Sequence, residues 1–240
     1  MEEERLNRCE ESKKIEQGTN LLIQFIPDTK TSHIPVVQLT NQLEANEKVP
    51  IVFVLPGVEG NLKPFEVLTS SMKTHVVDVQ YNYQHPENNI QEIAQNTISH
   101  IECRLTRTVP FFFIGYSFGS AVALELVTLL ENRGHLGTVI LLDGSPTYSR
   151  CGVKKLFGSE EDANFQMAIL NKIFSLVIPF DVLSEHQEAL LNGKDFEERV
   201  DIARALMPPE TINKQKLEKQ APVTLYTRLR ASPDDLHIQE

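Results

Sequence analysis

A serine between two glycines is the residue of this chain best suited to nucleophilic chemistry. The motif Gly115-Tyr116-Ser117-Phe118-Gly119 follows the apolar run 109–114 and precedes the apolar run 121–130. The first run is typical of a strand buried on both faces of a parallel sheet, and the second has the length and composition of a helix. A G-x-S-x-G sequence between a strand and a helix is typical of a nucleophile elbow, where the serine hydroxyl stands exposed on a strained turn. The pattern therefore predicts Ser117 as a nucleophile, with the helix dipole favouring an oxyanion.

A serine hydroxyl also needs a base, and an acid that holds the base in the right tautomer. In hydrolases built on an elbow, the acid and then the histidine follow the serine along the chain. Asp143 comes directly after the predicted strand 138–142, which places it at the same edge of the sheet as Ser117. The alternative acids are Asp234 and Asp235, which follow the last strand-like run. The alternative, non-catalytic interpretation of Asp143 is the first residue of an Asp-Gly turn, which is common at strand ends.

The base is harder to assign from the sequence. Of the seven histidines, the order of the triad leaves His186 and His237. His186 stands at the start of a predicted helix, where a solvated helix-end histidine is the alternative interpretation. His237 is the fourth residue from the end of the sequence, and chain ends seldom hold a side chain in hydrogen-bonding geometry. Neither position suits a catalytic base well, and of the two we keep His237 as the candidate base within this chain.

Two backbone N–H groups are predicted to bind the oxyanion. In this arrangement one donor is the residue after the nucleophile, here Phe118, and the other comes from the loop after an early strand. The run 50–55 reads as a buried strand, and the loop 56–60 that follows it contains two glycines. Because ligands bind at the carboxyl ends of strands in open α/β sheets, we expect Val58 to supply the second donor.

Composition excludes several classes of protein. The net charge of −10 and a pI near 5.2 argue against a nucleic-acid-binding face, which needs clustered Lys and Arg. The three cysteines (Cys9, Cys103 and Cys151) are widely spaced and indicate neither a disulfide framework nor a zinc site. No segment is long and apolar enough to span a membrane, and the N-terminus is charged where a signal peptide is apolar. We expect a cytoplasmic protein with no metal and no dissolved cofactor.

Strands alternate with helices over the first part of the chain, which predicts right-handed βαβ units and a mainly parallel sheet. Two strand-like runs, 21–26 and 34–39, flank a turn and predict a hairpin at the sheet edge. The segment 74–81 is a further strand, and 89–105 has the spacing of an amphipathic helix. We expect the strand 138–142 to be buried.

The strand pattern stops near residue 150 and is replaced by helical patterns. The predicted helices are 160–177, 186–192, 195–207 and 211–219, and strand character returns over 222–229. An apolar stripe at helical spacing over 165–178 forms either the inner face of a helical lobe or the wall of a groove for an apolar chain.

These patterns give four segments. We predict a charged tail or linker at 1–19, an α/β core at 20–149, a helical lid at 150–220, and a return strand with the C-terminal part of the core at 221–240.

Three stretches of the chain together resemble the thioesterase domain of animal-type fatty acid synthase, most closely the insect and other arthropod forms. They are 54–60, 115–119 and Leu141-Leu142-Asp143-Gly144-Ser145-Pro146-Thr147-Tyr148, and the similarity runs from about Asn20 to the end. The resemblance implies an α/β-hydrolase fold with a helical lobe inserted after the triad acid. It also implies release of a long-chain fatty acid from the phosphopantetheine arm of acyl carrier protein. In this resemblance Ser117 matches the nucleophile and Asp143 the acid, which favours Asp143 over Asp234.

The sequence departs from that family at its C-terminus. The catalytic histidine of the family follows a further strand beyond the one matching 223–229, and this sequence reaches Glu240 first. The resemblance therefore implies a fold that is C-terminally incomplete and a catalytic base beyond Glu240, with His237 as the candidate in this chain. Two other functions stay open: a carboxylester hydrolase on the same scaffold, and a fragment that binds acyl groups or carrier protein without turnover. As part of a larger synthase, the chain would receive its acyl group from a tethered carrier domain.

Overall fold

The computed structural model divides into two compact units. One comprises Met1–Ile26 and Leu156–Tyr226, and the other Pro27–Lys155 and Thr227–Glu240. The residues that the structure describes are 13–14, 17–18, 36–38, 50–61, 63–81, 89–105, 109–144, 163–208 and 220–230.

The second unit contains a five-stranded sheet with the order β1-β3-β2-β4-β5. Its strands are β1 (Val36–Gln38), β2 (Ile51–Leu55), β3 (His75–Val79), β4 (Phe111–Tyr116) and β5 (Gly137–Leu142). The strand β1 pairs antiparallel with β3, and all other pairings are parallel. The predicted α/β class with a mainly parallel sheet is confirmed. So is a strand near 34–39 at the edge of the described sheet, while its predicted hairpin partner 21–26 lies outside the described residues.

Helices cover the sheet because its strands β2 and β4 are largely apolar. The described helices of this unit are α1 (Glu66–Ser71), which follows a 3₁₀ turn at Lys63–Phe65, α2 (Ile90–Glu102) and α3 (Phe118–Glu131). On one face, Phe53 and Phe113 are fully buried in a core shared with α2 and α3, and their ring centroids lie 5.2 Å apart. On the other face, Val52, Val54, Val76 and Ile114 form a second buried cluster. Alternate residues of one strand thus pack into cores on opposite faces of the sheet, as expected for a strand buried on both faces.

The amphipathic helix predicted at 89–105 is confirmed as α2. Its buried residues are Ile90, Ile93, Ala94, Thr97, Ile98 and Ile101. Asn89 caps the helix: its side chain accepts a hydrogen bond of 2.8 Å from the Glu92 N–H and donates one of 3.2 Å to the Glu92 carboxylate. The first of these bonds satisfies a free backbone donor of the first turn, which helps to fix where the helix begins.

The strand predicted at 138–142 is present as β5, but the prediction that it is buried is wrong. Ile140, Leu141 and Leu142 are 43%, 38% and 36% exposed. Within the described residues β5 is a sheet edge with β4 as its one neighbour, and an edge strand lacks the cover that a central strand receives.

The first unit is helical over its described residues, in agreement with the patterns after residue 150. Predicted helices 160–177, 186–192 and 195–207 correspond to α4 (Ala163–Phe174), α6 (Gln187–Leu191) and α7 (Phe196–Ala205), and the sequence analysis missed α5 (Phe180–Glu185). The predicted helix 211–219 lies outside the described residues. Every member of the apolar stripe is buried, which favours the inner face of a lobe: Phe165, Ile169, Ile173, Phe174, Val177 and Ile178.

The return strand predicted over 222–229 is wrong, because this segment is the helix α8 (Gln220–Arg230). Its β-branched and aromatic residues favour a strand by local propensity, and packing overrides that preference. Tyr226 stacks on Phe196 with ring centroids 4.1 Å apart, and its hydroxyl accepts a 3.0 Å hydrogen bond from Gln166. Pro222 falls in the first turn, where a missing N–H has no helical partner to lose. The boundaries of the four predicted segments otherwise remain predictions.

Among the described residues, no helix has the length and apolar character needed to cross a membrane.

Candidate active site

Ser117 stands on the turn between β4 and α3, in a backbone conformation that residues other than glycine rarely adopt. Its φ is 50° and its ψ is −115°, and its side chain is half-buried. The Ser117 N–H donates a 2.8 Å hydrogen bond to the Leu142 carbonyl at the end of β5, which ties the turn to the neighbouring strand. A conformation of this kind costs about 1–3 kcal/mol and persists only where surrounding contacts enforce it. The predicted strand-turn-helix setting of the serine is therefore present.

The two glycines of the motif are required because the start of α3 lies close to the ends of β4 and β2. A Cβ on Gly115 would lie 2.6 Å from the Gly119 carbonyl oxygen, and one on Gly119 would lie 2.3 Å from the Pro56 carbonyl oxygen. Both contacts are with backbone, which cannot rotate away as a side chain can. The Ser120 hydroxyl closes the crossing with a 2.8 Å hydrogen bond to the Gly115 carbonyl.

Asp143 follows β5 and lies beside the serine turn. Tyr116 and Leu142 are paired in register, so β4 and β5 end at the same level. A Cβ on Gly144 would lie 2.5 Å from the Ser117 carbonyl oxygen, so the chain on both sides of Asp143 contacts the turn. Asp143 is exposed and has a φ of 50°, a conformation that aspartate tolerates better than most residues. The structure thus brings Ser117 and Asp143 to one edge of the sheet.

The segment Gly57–Gly60 forms a tight turn at the same edge, which we call the Gly57–Gly60 turn. The Gly60 N–H donates a 3.1 Å hydrogen bond to the Gly57 carbonyl, and Gly60 has a φ of 74°. The last residue of β2, Leu55, pairs with Gly115, so the turn begins beside the serine motif. Phe118, the other predicted donor, is the first residue of α3, where backbone N–H groups have no carbonyl of the helix to bond.

Three side chains that the sequence analysis did not single out surround this turn. The Glu59 carboxylate accepts a 3.0 Å hydrogen bond from the Gly57 N–H. Arg228 donates from one terminal nitrogen to the Val58 carbonyl at 2.8 Å and from the other to the Tyr81 carbonyl at 3.2 Å. Tyr81 donates its hydroxyl proton to the Pro56 carbonyl at 3.0 Å. Glu59 lies inside the loop that the sequence singled out and could have been noticed there, whereas Arg228 is 170 residues from Val58.

Burial raises the pKa of Glu59 above its ordinary value, and the hydrogen bonds from the backbone and the nearby Arg228 charge offset this only in part. The charged carboxylate is therefore less favourable in the folded chain than in the unfolded one.

Substituting Glu59→Gln is expected to leave the chain at least as stable as wild type at about pH 7, because the amide oxygen can still accept from Gly57 and the carboxylate charge that burial disfavours is removed. Since the folded pKa lies above the unfolded one, wild-type stability relative to Glu59→Gln should fall as pH rises through that raised pKa. Urea unfolding across about pH 4–8 measures the difference, with exposed Glu66→Gln as the matched control. A wild type that gains stability over Glu59→Gln with rising pH would contradict this.

The described histidines of the sheet unit lie away from the serine. His75 opens β3, and His100 is in the last turn of α2, which leads back to the start of β4. His135 follows α3, a helix of 14 residues that spans about 20 Å from the serine end. The His135 ring lies 3.4 Å from the Glu102 carboxylate, so it has a structural partner there. None of these three residues can act as the base.

The structure describes one of the two histidines that the sequence left as candidate bases. His186 belongs to the helical unit, where its Nδ1 lies 2.9 Å from the Val182 carbonyl, at a helix end as expected. His237, with the alternative acids Asp234 and Asp235, lies outside the described residues. The part of the chain that is described holds no cluster of three His, Cys, Asp or Glu side chains able to bind a metal ion.

Comparison with known proteins gives a family match. A family model of the thioesterase domain matches residues 50–228. Among solved structures, the chain is similar to YbtT, a type II thioesterase from the yersiniabactin NRPS/PKS biosynthetic pathway. The identity is 15%, the match covers 82% of this chain and 67% of that one, and the TM-score is 0.45.

Two further structures are similar over the same share of this chain. The thioesterase domain of NocB is 15% identical, with 82% of this chain and 71% of that chain covered and a TM-score of 0.45. MGS-M2, an α/β-hydrolase enzyme from a Medee basin deep-sea metagenome library, is 11% identical, with 82% and 68% covered and a TM-score of 0.44. The parallel sheet and the strained serine between β4 and α3 are those of an α/β-hydrolase fold, as predicted from the sequence.

Proposed function

Because this chain belongs to the thioesterase domain family, we propose that it is a serine thioesterase that releases a long-chain fatty acid from the phosphopantetheine thioester of acyl carrier protein. In this proposal the reaction is the chain-terminating step of fatty acid synthesis, and the chain works in the cytoplasm as part of a larger synthase. The observation that carries the proposal is the strained Ser117 turn, with Asp143 and the Gly57–Gly60 turn at the same edge of the sheet. The resemblance of Leu141–Tyr148 to the synthase family supports the choice of substrate.

The proposed mechanism uses the residues at this edge. The Ser117 hydroxyl oxygen attacks the thioester carbonyl carbon while a histidine takes its proton, and Asp143 orients that histidine. The N–H groups of Val58 and Phe118 bind the oxyanion of the tetrahedral intermediate. Collapse breaks the C–S bond and the thiol leaves with the proton, after which water cleaves the acyl-enzyme. The base is expected from sequence outside the described residues, with His237 as the candidate in this chain. No metal or dissolved cofactor takes part in this scheme.

The substrate class is tested by comparing two substrates with the same acyl chain. We expect kcat/KM for a palmitoyl pantetheine thioester to exceed that for a palmitoyl oxygen ester by about tenfold or more, since a thioesterase distinguishes the two substrates by their leaving group. Steady-state rates at matched substrate concentrations measure the ratio. A strong preference for the oxygen ester would favour a carboxylester hydrolase instead.

One observation favours a second candidate function, a domain that binds acyl groups without turnover. Within the described part of the sheet unit, no histidine lies at the edge that carries Ser117. Turnover of palmitoyl thioester at about one per second or faster, in the normal enzyme range, would exclude this candidate. Binding of a palmitoyl thioester with no hydrolysis above background would favour it over the thioesterase proposal.

A further inference from the structure

We propose that Arg228 and Glu59 are positioning residues that hold the Gly57–Gly60 turn so that the Val58 N–H can act as an oxyanion donor. The proposal rests on the proposed function, because the oxyanion is that of the Ser117 reaction. It adds two side chains, one of them from a distant helix, to an oxyanion-binding site otherwise made of backbone N–H groups.

Three consecutive peptide groups of the turn are anchored. The N–H of Gly57 donates to the Glu59 carboxylate at 3.0 Å. The carbonyl of Gly57 accepts from Gly60 at 3.1 Å. The carbonyl of Val58 accepts from Arg228 at 2.8 Å. The peptide that carries the Val58 N–H therefore has a fixed neighbour on each side and a fixed carbonyl of its own.

These anchors determine where the Val58 N–H points. The peptide bond between Gly57 and Val58 is trans, as no described peptide bond is cis, so its C=O and N–H point in opposite directions. Because the Gly57 carbonyl points to the Gly60 N–H inside the turn, the Val58 N–H points out of the turn. Rotation of this peptide would break the bond to Gly60 and strain the bonds to Glu59 and Arg228.

The guanidinium group suits this role better than an ammonium group would. Its two terminal nitrogens bond carbonyls from two segments, Val58 and Tyr81, and its carbon lies 5.4 Å from the centroid of the Tyr81 ring. A planar fork can make these contacts together, whereas lysine presents a single point charge. Arg228 is 2% exposed, so little water reaches the guanidinium group.

Gly60 shows how closely Arg228 is packed against the turn. A Cβ at position 60 would lie 2.2 Å from one guanidinium nitrogen and 2.6 Å from the guanidinium carbon. Because glycine has no side chain, the guanidinium group can occupy this space, and the positive φ of Gly60 allows the tight turn.

The test separates transition-state binding from substrate binding. We expect Arg228→Met to lower kcat for palmitoyl thioester by about 10²-fold with KM changed less than about twofold. The reason is that the oxyanion forms only in the transition state, so a misplaced Val58 N–H weakens binding of the transition state and not of the substrate. Arg228→Lys, which can bond one of the two carbonyls, should fall between Arg228→Met and wild type. Glu59→Gln should keep kcat within about threefold because it retains an acceptor for Gly57, whereas Glu59→Ala should lower kcat about tenfold or more. Arg230→Met, an exposed arginine on the same helix, is the matched control and should match wild type.

A second readout distinguishes positioning from general destabilisation. A long-chain trifluoromethyl ketone, which forms a tetrahedral oxyanion on the serine, should bind Arg228→Met about 10²-fold more weakly. An alkyl thioether of the same length has no oxyanion and should bind both proteins equally. The proposal would be overturned if Arg228→Met lost affinity for both inhibitors equally, or if its kcat equalled that of Arg230→Met.

Hydrogen exchange tests the anchoring even when catalysis is absent. We expect amide exchange over 57–60 to be about tenfold faster in Arg228→Met than in Arg230→Met, with exchange in β2 and β4 unchanged. If the wild-type chain hydrolyses no thioester, the proposed function fails and this experiment alone judges the anchoring. Unchanged exchange over 57–60 would overturn the anchoring, and faster exchange confined to that segment would support it.

Discussion

Substituting Ser117→Ala is expected to lower kcat/KM for palmitoyl thioester about 10⁴-fold or more. The hydroxyl is the proposed nucleophile, and without it only the oxyanion donors and substrate binding remain to accelerate the reaction. The free energy of unfolding should change by less than about 0.5 kcal/mol, because alanine keeps the strained backbone and the half-buried hydroxyl is small. Steady-state kinetics and urea unfolding of the same preparations measure the two effects.

Two further variants test the explanation. Ser70→Ala removes an exposed hydroxyl that bonds a carbonyl of its own helix, and it should leave the rate unchanged. Ser117→Gly should be as inactive as Ser117→Ala but about 1 kcal/mol more stable than it, since glycine accepts a positive φ without steric cost. A Ser117→Ala variant that keeps more than about a tenth of the wild-type rate would show that the nucleophile lies elsewhere.

Substituting Gly119→Ala is expected to destabilise the chain by about 3 kcal/mol, the upper part of the range for overpacking. The new Cβ would lie 2.3 Å from the Pro56 carbonyl oxygen and 2.5 Å from that of Leu55, so the start of α3 must move away from the end of β2. The movement displaces Ser117 and Phe118 from the Gly57–Gly60 turn, and activity should fall even where the variant is folded. A loss of about 6–12 °C in Tm is expected for a chain of this length.

Gly134→Ala is the matched control for this substitution. Unlike the helical Gly119, Gly134 has a positive φ, 82°, but a Cβ there would meet no atom within 4 Å. Its cost should be limited to the backbone strain of about 1–2 kcal/mol, with activity unchanged. If Gly119→Ala proved as stable as wild type, the close crossing of α3 and β2 would be wrong, because alanine is otherwise the better helix former.

The sequence predicted those features that depend on local chemistry. The strand before Ser117, the helix after it and the flanking glycines are neighbours in sequence, so one stretch of residues carried the whole pattern. The placement of Asp143 needed one more step, that parallel strands end at the same edge of a sheet. For the same reason the loop after β2 could be placed beside the serine without knowledge of the fold.

Features that depend on distant partners were not predictable in this way. The segment that forms α8 reads as a strand from its own residues, and its helix is stabilised by Tyr226 packing on Phe196 and Phe165. Arg228 follows two residues later, and its carbonyl partners lie 170 and 147 residues away. No local pattern marks an arginine for such a role. The exposure of β5 likewise depends on which strands flank it and not on its own apolar composition.

The ring of Tyr81 beneath the Arg228 guanidinium gives the protein an optical signal close to its proposed oxyanion hole. The chain contains five tyrosines and no tryptophan, so tyrosine dominates its ultraviolet emission. The Tyr81 hydroxyl donates a hydrogen bond to the Pro56 carbonyl beside the Gly57–Gly60 turn. Any ligand that shifts this turn therefore changes the surroundings of a natural fluorophore, and occupancy of the site can be followed without attaching a dye.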